Sequence, residues 1–240
     1  MEPLFIIPAR GGSKGIPGKN IKPLAGIPLL HYSISYARQF AGDDHICLTT
    51  DSETIIRSAR EIGLEVPFIR PAQLATDHTG SYPVIRHALQ NFPKNHRQFD
   101  PIVLLQPTSP FRLKKHLEEA LSLYEPGVDM VASVMESPAN PYFNLYEEDP
   151  EGSLRISKGE GPYASRQSAP RVYQFNGSLY LINPASLGAH DSFSQFRMVR
   201  KFVMDRTFSV DLDTPEDWKF AEWLATTRFK ELPENLPSRG

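Results

Sequence analysis

The stretch 8–26, PARGGSKGIPGKNIKPLAG, sets Arg10, Lys14, Lys19 and Lys22 among Gly11, Gly12, Gly15 and Gly18. Fixed cations beside residues that let the backbone approach closely and turn its amides inward suit an oligophosphate. Neither familiar phosphate motif fits. A P-loop needs a glycine where Ser13 stands and a hydroxyl where Asn20 stands, and the dinucleotide G-x-G-x-x-G spacing is absent. What remains is a cationic loop behind the apolar run LFII (4–7), with Gly11 and Gly12 expected to supply positive φ and inward amides. The alternative is a solvated loop whose lysines serve solubility.

Four further constellations carry chemistry. Asp211 and Asp213 flank Leu212. Strand alternation would place both carboxylates on one face, as hard oxygen ligands for magnesium require, although aspartates also favour the entry to a helix after Thr214. Gln106, Thr108 and Ser109 follow a buried run in LLQPTSPFR, where the prolines equally suit an ordinary turn. Arg70 in FIRP can meet a phosphate or a base carbonyl, or be a surface arginine. Arg166 can bind a carboxylate in bidentate fashion or close a hairpin ion pair. The seven histidines have no metal-ligand spacing, and Cys47, the single cysteine, sits mid-strand as packing.

These residues need a scaffold that brings loops together. LFII, HICLTT (45–50), VPFI (66–69), PIVLLQ (101–106) and DMVASVM (129–135) read as strands buried on both faces. Helical patterns occupy 28–40, 52–63, 81–92 and 114–127, with Ser52 and Gly63 as start and stop of the second. The alternation predicts an α/β sandwich with right-handed crossovers. The pattern breaks at 136–172, where YFNLYE and SLRIS around EDPEGS predict a hairpin excursion. Strands are expected again at 172–183 and 196–204. Thr214 and Pro215 open a final helix to residue 229. One domain over 1–240 is expected.

Composition limits the partners. Charged residues make up 22% of the chain, yet the net charge is −2, which gives no reason to expect nucleic acid. The lone cysteine fits a reducing compartment, and no apolar run is long enough for a membrane span, so a cytoplasmic protein without membrane partners is expected.

IIPARGGSKGIPGKNIKPLAGIPLLHYSI, TTDSETI, VPFIRPAQLATD, VLLQPTSPFR, RQSAPRVYQFNGSLYLIN and VDLDTPED, in this order over residues 4–225, resemble the cytidylyltransferases that activate sialic acid and related keto-sugar acids. The resemblance implies a three-layer α/β/α fold like that of nucleotide-diphospho-sugar transferases, with a mostly parallel sheet and a hairpin dimerisation arm. It implies CTP and a nine-carbon sugar acid as substrates, Mg2+ on Asp211 and Asp213, and a homodimer in which the arm's arginine reaches the neighbouring site. Carried over by position, Arg10, Gly11, Gly12, Ser13, Lys14, Asn20, Arg70 and Ser81 would bind nucleotide. Gln106, Thr108, Arg166, Asn176 and Tyr180 would face the sugar, with Gly177 beside them. Lys19, Gln106 and Asp213 would be catalytic, Lys19 meeting the pyrophosphate. PYFN (141–144) lacks a lysine and Gln174 replaces an arginine found in some members, which leaves the sugar acid open among sialic, legionaminic, pseudaminic and eight-carbon Kdo-type acids. A nucleotide-binding regulatory module without turnover is the alternative of another class.

Overall fold

The computed structural model describes residues 2–93 and 99–232; His96, and the outer parts of the expected 1–240 domain, lie outside them. In chain order the elements are β1 (Leu4–Pro8), β2 (Pro23–Leu24), β3 (Ile27–Pro28), α1 (Leu29–Ala37), β4 (Ile46–Thr49), α2 (Glu53–Glu61), α3 (Ser81–Asn91), β5 (Ile102–Leu105) and α4 (Lys114–Ser122). They continue as β6 (Met130–Glu136), β7 (Tyr146–Glu148), β8 (Leu154–Ile156), β9 (Tyr173–Ile182), α5 (Pro184–Ala189), β10 (Val199–Val203) and α6 (Pro215–Thr227).

Six strands form the central sheet in the order β10-β6-β9-β5-β1-β4. β1 runs parallel to β4 and β5, and β10 runs parallel to β6; β9 alone is antiparallel, against β5 and β6. Alternation along each strand feeds two cores. Phe5, Ile7, Val103 and Leu105 pack with Ile34 of α1, Ile56 of α2 and Leu117 of α4. Leu4, Ile6, Ile102 and Leu104 face the other way, onto Ile85 and Leu89 of α3 and Leu187 of α5. Both sheet faces are therefore covered, which is why the strands read as continuous apolar runs. A third core joins α1 to α6 through Leu29, Tyr32, Phe111, Leu212, Trp218 and Leu224.

Two expectations are corrected. VPFI (66–69) is not a strand: Pro67 has no N–H to extend a ladder, and the segment reaches the sheet's end through one backbone bond, Arg70 N–H to Thr50 O at 2.7 Å. Residues 210–213 form no strand. Leu212 is fully buried and its N–H donates to Thr108 O at 2.9 Å, so Asp211 and Asp213 still emerge together on the exposed side. Ser52 stands before α2 without a side-chain capping bond. Two elements were not anticipated: the short β2–β3 hairpin and α5. Between β6 and β9 the chain leaves the sheet, and β7 pairs with β8 as a separate antiparallel hairpin.

The start of α6 fixes the acidic pair. Thr214 Oγ1 accepts from Asp217 N–H at 3.2 Å, while the Asp217 carboxylate accepts from the backbone N–H of Thr214 at 2.8 Å and of Asp213 at 3.2 Å. Thr214→Ala is expected to cost about 1 kcal/mol of stability, measured as a shift in the urea midpoint. A change of only a few tenths would show that the cap does not hold this junction.

Candidate active site

Loops leaving the carboxyl ends of β1 and β5 meet the head of α3 and the 211–213 segment, where ligands bind in open α/β sheets. They enclose a cleft of about 350 Å³ lined by Arg10, Ser13, Lys19, Asn20, Arg70, Asp77, Ser81, Gln106, Thr108, Asp211 and Asp213, among others. Residues spread over two hundred positions of sequence converge there.

The first loop is held from within. Asn20 donates from Nδ2 to Arg10 O at 2.9 Å, which fixes the loop's two ends relative to each other. Lys19 is 9% exposed. Its ammonium donates to the Leu212 carbonyl and sits 3.1 Å from Asp213 Oδ1, so the lysine and the acidic pair form one unit. Gly15 makes this contact possible: a Cβ there would lie 2.0 Å from Asp213 O. Close approach was expected of Gly11 and Gly12 instead. That expectation holds in part: a Cβ on Gly11 would lie 2.9 Å from Ser52 Cβ, so the backbone does pass close there, but neither glycine adopts positive φ or lines the cleft, and Gly12 has open space around it. The Gly11 amide does point at an anion, but the anion is the Asp51 carboxylate, at 2.9 Å.

Arg70 is 4% exposed, and its Nε and Nη2 have no hydrogen-bond partner. Asp51 lies 3.6 Å away, which is an ion pair but too long for a hydrogen bond. Burial draws the guanidinium below its ordinary value, and the Asp51 charge opposes that. A buried cation with unpartnered donors in a residue that lines a cleft is a costly arrangement. Asp51 escaped notice in the sequence, although TTDSETI contains it.

Gln106 is aimed by groups behind it. Arg112, fully enclosed, donates from Nη2 to Gln106 O at 2.6 Å and from Nε to Ser178 O at 3.0 Å; burial pulls its guanidinium down to about 10. Gly177, at φ 69°, leaves room for the Gln106 amide, whose Oε1 would lie 2.9 Å from a Cβ at that position. Asp211 accepts a hydrogen bond from Thr108; partial desolvation of the carboxylate within the cleft and the nearby Asp213 charge push it above the ordinary value.

Two sugar-side expectations change. Asn176 is interior: Nδ2 donates to Ser209 Oγ at 2.9 Å, and Oδ1 accepts from Ser133 Oγ at 2.6 Å. Its hydrogen-bonding capacity is used in stitching β6, β9 and the 205–209 turn together. Tyr180 also lies beneath the cleft; its hydroxyl accepts from Gly177 N–H at 3.1 Å, and burial raises the phenol to about 12. Arg166 is exposed on the excursion and outside the cleft of its own chain. Lys14 does not line the cleft wall but pairs with Asp77, an acidic residue the sequence reading passed over.

Among the described residues no three histidine, cysteine or acidic side chains converge as a metal cage. Asp211 and Asp213 nevertheless present hard oxygens to one cleft, and magnesium is ordinarily held by one or two carboxylates plus substrate phosphates. The donor set fits that ion. No helix among the described residues is long and apolar enough to cross a membrane.

A cytidylyltransferase family model matches residues 4–233. CMP-N,N'-diacetyllegionaminic acid synthase of Legionella pneumophila is 32% identical over 232 residues, covering 93% of this chain and 96% of the relative. N-acylneuraminate cytidylyltransferase of Streptococcus agalactiae is 33% identical over 221 residues, 91% of this chain but 52% of that longer protein. A CMP:2-keto-3-deoxy-manno-octonic acid synthetase solved with CTP superposes with a TM-score of 0.68 at 18% identity, covering 94% of this chain and 99% of the other, a likeness of fold.

Gly15→Ala is expected to force the Asp213 carbonyl away and lower activity about 100-fold, the scale of a misplacement near 1 Å, with native circular dichroism. Full activity would mean that the first loop need not touch the 211–213 segment.

Proposed function

This chain belongs to the cytidylyltransferase family, and from that premise we propose that it transfers CMP from CTP to the anomeric hydroxyl of a nine-carbon keto-sugar acid, releasing pyrophosphate. The observation that carries this reading is the union of Lys19 with Asp213 in a cleft that also holds Arg10 and the buried Arg70. Anion-binding groups and a magnesium-type acidic pair are the two things phosphoryl displacement asks of a protein. The relatives' names, both of CMP-sugar-acid enzymes, support the substrate pair.

In the reaction the sugar's anomeric oxygen forms a bond to the α-phosphorus, that hydroxyl's proton passes to solvent water, and the bond from α-phosphorus to the bridging oxygen breaks, its electron pair leaving with pyrophosphate. We assign Arg10, Ser13, Lys14, Lys19, Asn20, Arg70 and Ser81 to the nucleotide. Lys19 faces the departing pyrophosphate, and Arg70 takes an acceptor on a phosphate or the base. Gln106 and Thr108, at the end of β5, lie where sugar and nucleotide meet. Asp211 and Asp213 would hold Mg2+, which when bound supplies charge neutralisation and acidifies the attacking hydroxyl. Lys19 keeps Asp213 oriented from the other side.

Relatives of matching length include a legionaminic acid enzyme, so legionaminic acid stands beside N-acetylneuraminic acid as substrate, with pseudaminic and Kdo-type acids behind them. A regulatory module without turnover is disfavoured by the intact lysine–aspartate unit. Pyrophosphate release from CTP should appear with at least one acid of a panel and not with ATP, GTP or UTP. Tight CTP binding without release for any acid would favour the regulatory module. Asp213→Asn, or removal of divalent cations with EDTA, is expected to lower turnover at least about 1,000-fold, a loss of about 4 kcal/mol of transition-state stabilisation. Undiminished turnover would sink the metal assignment.

We also assign a homodimer, acting in the cytoplasm. The excursion and adjacent β9 expose Leu145, Tyr146, Leu154 and Phe175, an apolar surface that a second copy would cover. Arg166, outside its own cleft, would then serve the neighbour's sugar carboxylate. Deleting residues 142–168 should leave a monomer, by light scattering, with little activity. A persistent dimer would refute the arm's role.

A further inference from the structure

Asp77 stands where a carboxylate hinders the function proposed above. It lies between the 72–74 turn and α3 and lines the cleft. Its two oxygens divide between two cations of the phosphate loop, Oδ1 to Arg10 Nη1 and Oδ2 to Lys14 Nζ, each at 2.6 Å. The hydrogen bonds from Lys14 and Arg10 hold its carboxyl below the usual carboxylate value.

Charge counting along the wall sharpens the difficulty. Arg10, Lys19 and Arg70 are matched there by Asp77, Asp211 and Asp213, three against three. A triphosphate would meet no surplus of positive charge on the wall itself, and Lys14 at its edge adds only one. Magnesium relieves the pair at 211 and 213 but not Asp77. A phosphate oxygen can reach Arg10 and Lys14 only by replacing the Asp77 oxygens or by crowding beside them, which like charge opposes.

The surroundings make replacement feasible. The Asp77 side chain is 29% exposed and the Lys14 side chain 85%, so the carboxylate can turn to water without stranding a buried ion. Asp51 differs: the Gly11 amide fixes it at 2.9 Å beside the buried Arg70, and it cannot leave so easily.

We propose that Asp77 is a built-in stand-in for nucleotide phosphate, occupying Arg10 and Lys14 in the nucleotide-free protein and displaced from them by the triphosphate. The inference rests on the nucleotide assignment of the cleft. It keeps the loop ordered while empty, and it gives pyrophosphate a competitor at the two cations when it departs.

Calorimetric titration of the wild-type chain and Asp77→Asn with CTP, cytidine and inorganic tripolyphosphate tests it. Removing the competitor should tighten CTP and tripolyphosphate about tenfold, the effect of two partly exposed ion pairs, while cytidine affinity changes little. Unchanged or weaker CTP binding by Asp77→Asn overturns the stand-in role, since a carboxylate that contacts nucleotide directly would be missed on removal. Should the asparagine variant lack native circular dichroism, Asp77→Ser is read the same way. A wild-type chain that binds no CTP refutes the nucleotide assignment and the stand-in together. One that binds CTP, with no gain in the variant, refutes the stand-in alone.

Discussion

The cleft is organised by charge pairing in a place that water only partly reaches. Lys19 is nearly buried, as is Arg70, and a buried cation must be matched. Each finds a carboxylate from a distant part of the chain, Asp213 for Lys19 and Asp51 for Arg70. Those two pairs connect the first loop to the entry of α6 and the end of β4 to the approach of α3. Much else in the site follows from keeping them aligned. Asn20 ties the loop to Arg10 O, and Asp217 holds the Asp213 amide. Gly15 keeps the gap small enough for Lys19 to reach both the Leu212 carbonyl and the Asp213 carboxylate.

The sheet supplies the rigid frame for this pairing. β1, β4 and β5 are adjacent and parallel, so their following loops emerge on one edge. The antiparallel β9 does a different job. It passes between β5 and β6, and at Asn176 and Gly177 it departs from regular pairing, with a register shift against β6 between Ala132 and Val134. That irregularity opens space for Gln106, whose backbone Arg112 fixes through Gln106 O and Ser178 O. The strand that looks odd in the sheet is thus the one that positions the end of β5.

The sandwich was legible because strands covered on both faces leave continuous apolar runs, as in LFII and IVLL, and because Thr214 and Pro215 mark a helix start unambiguously. VPFI carried the same apolar signal, but the donor missing at Pro67 weighed more than composition. Arg10 and Lys19 were legible as cleft residues from type and spacing, and the shared face of Asp211 and Asp213 from alternation, even though no strand forms there; Lys14 and Lys22 were not, since one pairs with Asp77 and the other lies over the Trp218 ring. Asn176 and Tyr180 were not. A polar side chain in a strand looks the same in sequence whether it faces a ligand or satisfies Ser133, Ser209 or the Gly177 amide. Asp77 was missed for a related reason: one acid in a loop gives no sign of which cations it will meet.

The two halves of the proposed substrate pair are served unequally by one chain, and the inequality has a physical origin. The side assigned to the nucleotide is built from sheet ends and a helix head whose positions the cores fix, with Lys19 and Arg70 nearly buried. The side assigned to the sugar keeps Gln106 and Thr108 within the cleft, while Arg166 lies outside it on the exposed excursion, beyond the β7–β8 hairpin. A planar carboxylate is best recognised by a guanidinium fork held in place. An arginine on an exposed excursion loses rotamer freedom when it binds, unless a second surface has already restrained it. The exposed apolar residues elsewhere on the excursion, Leu145, Tyr146 and Leu154, are the kind that drive such a second contact. On this reading pairing of two chains and recognition of the sugar are a single event, so the choice among sugar acids belongs to the assembled arm more than to the cleft wall.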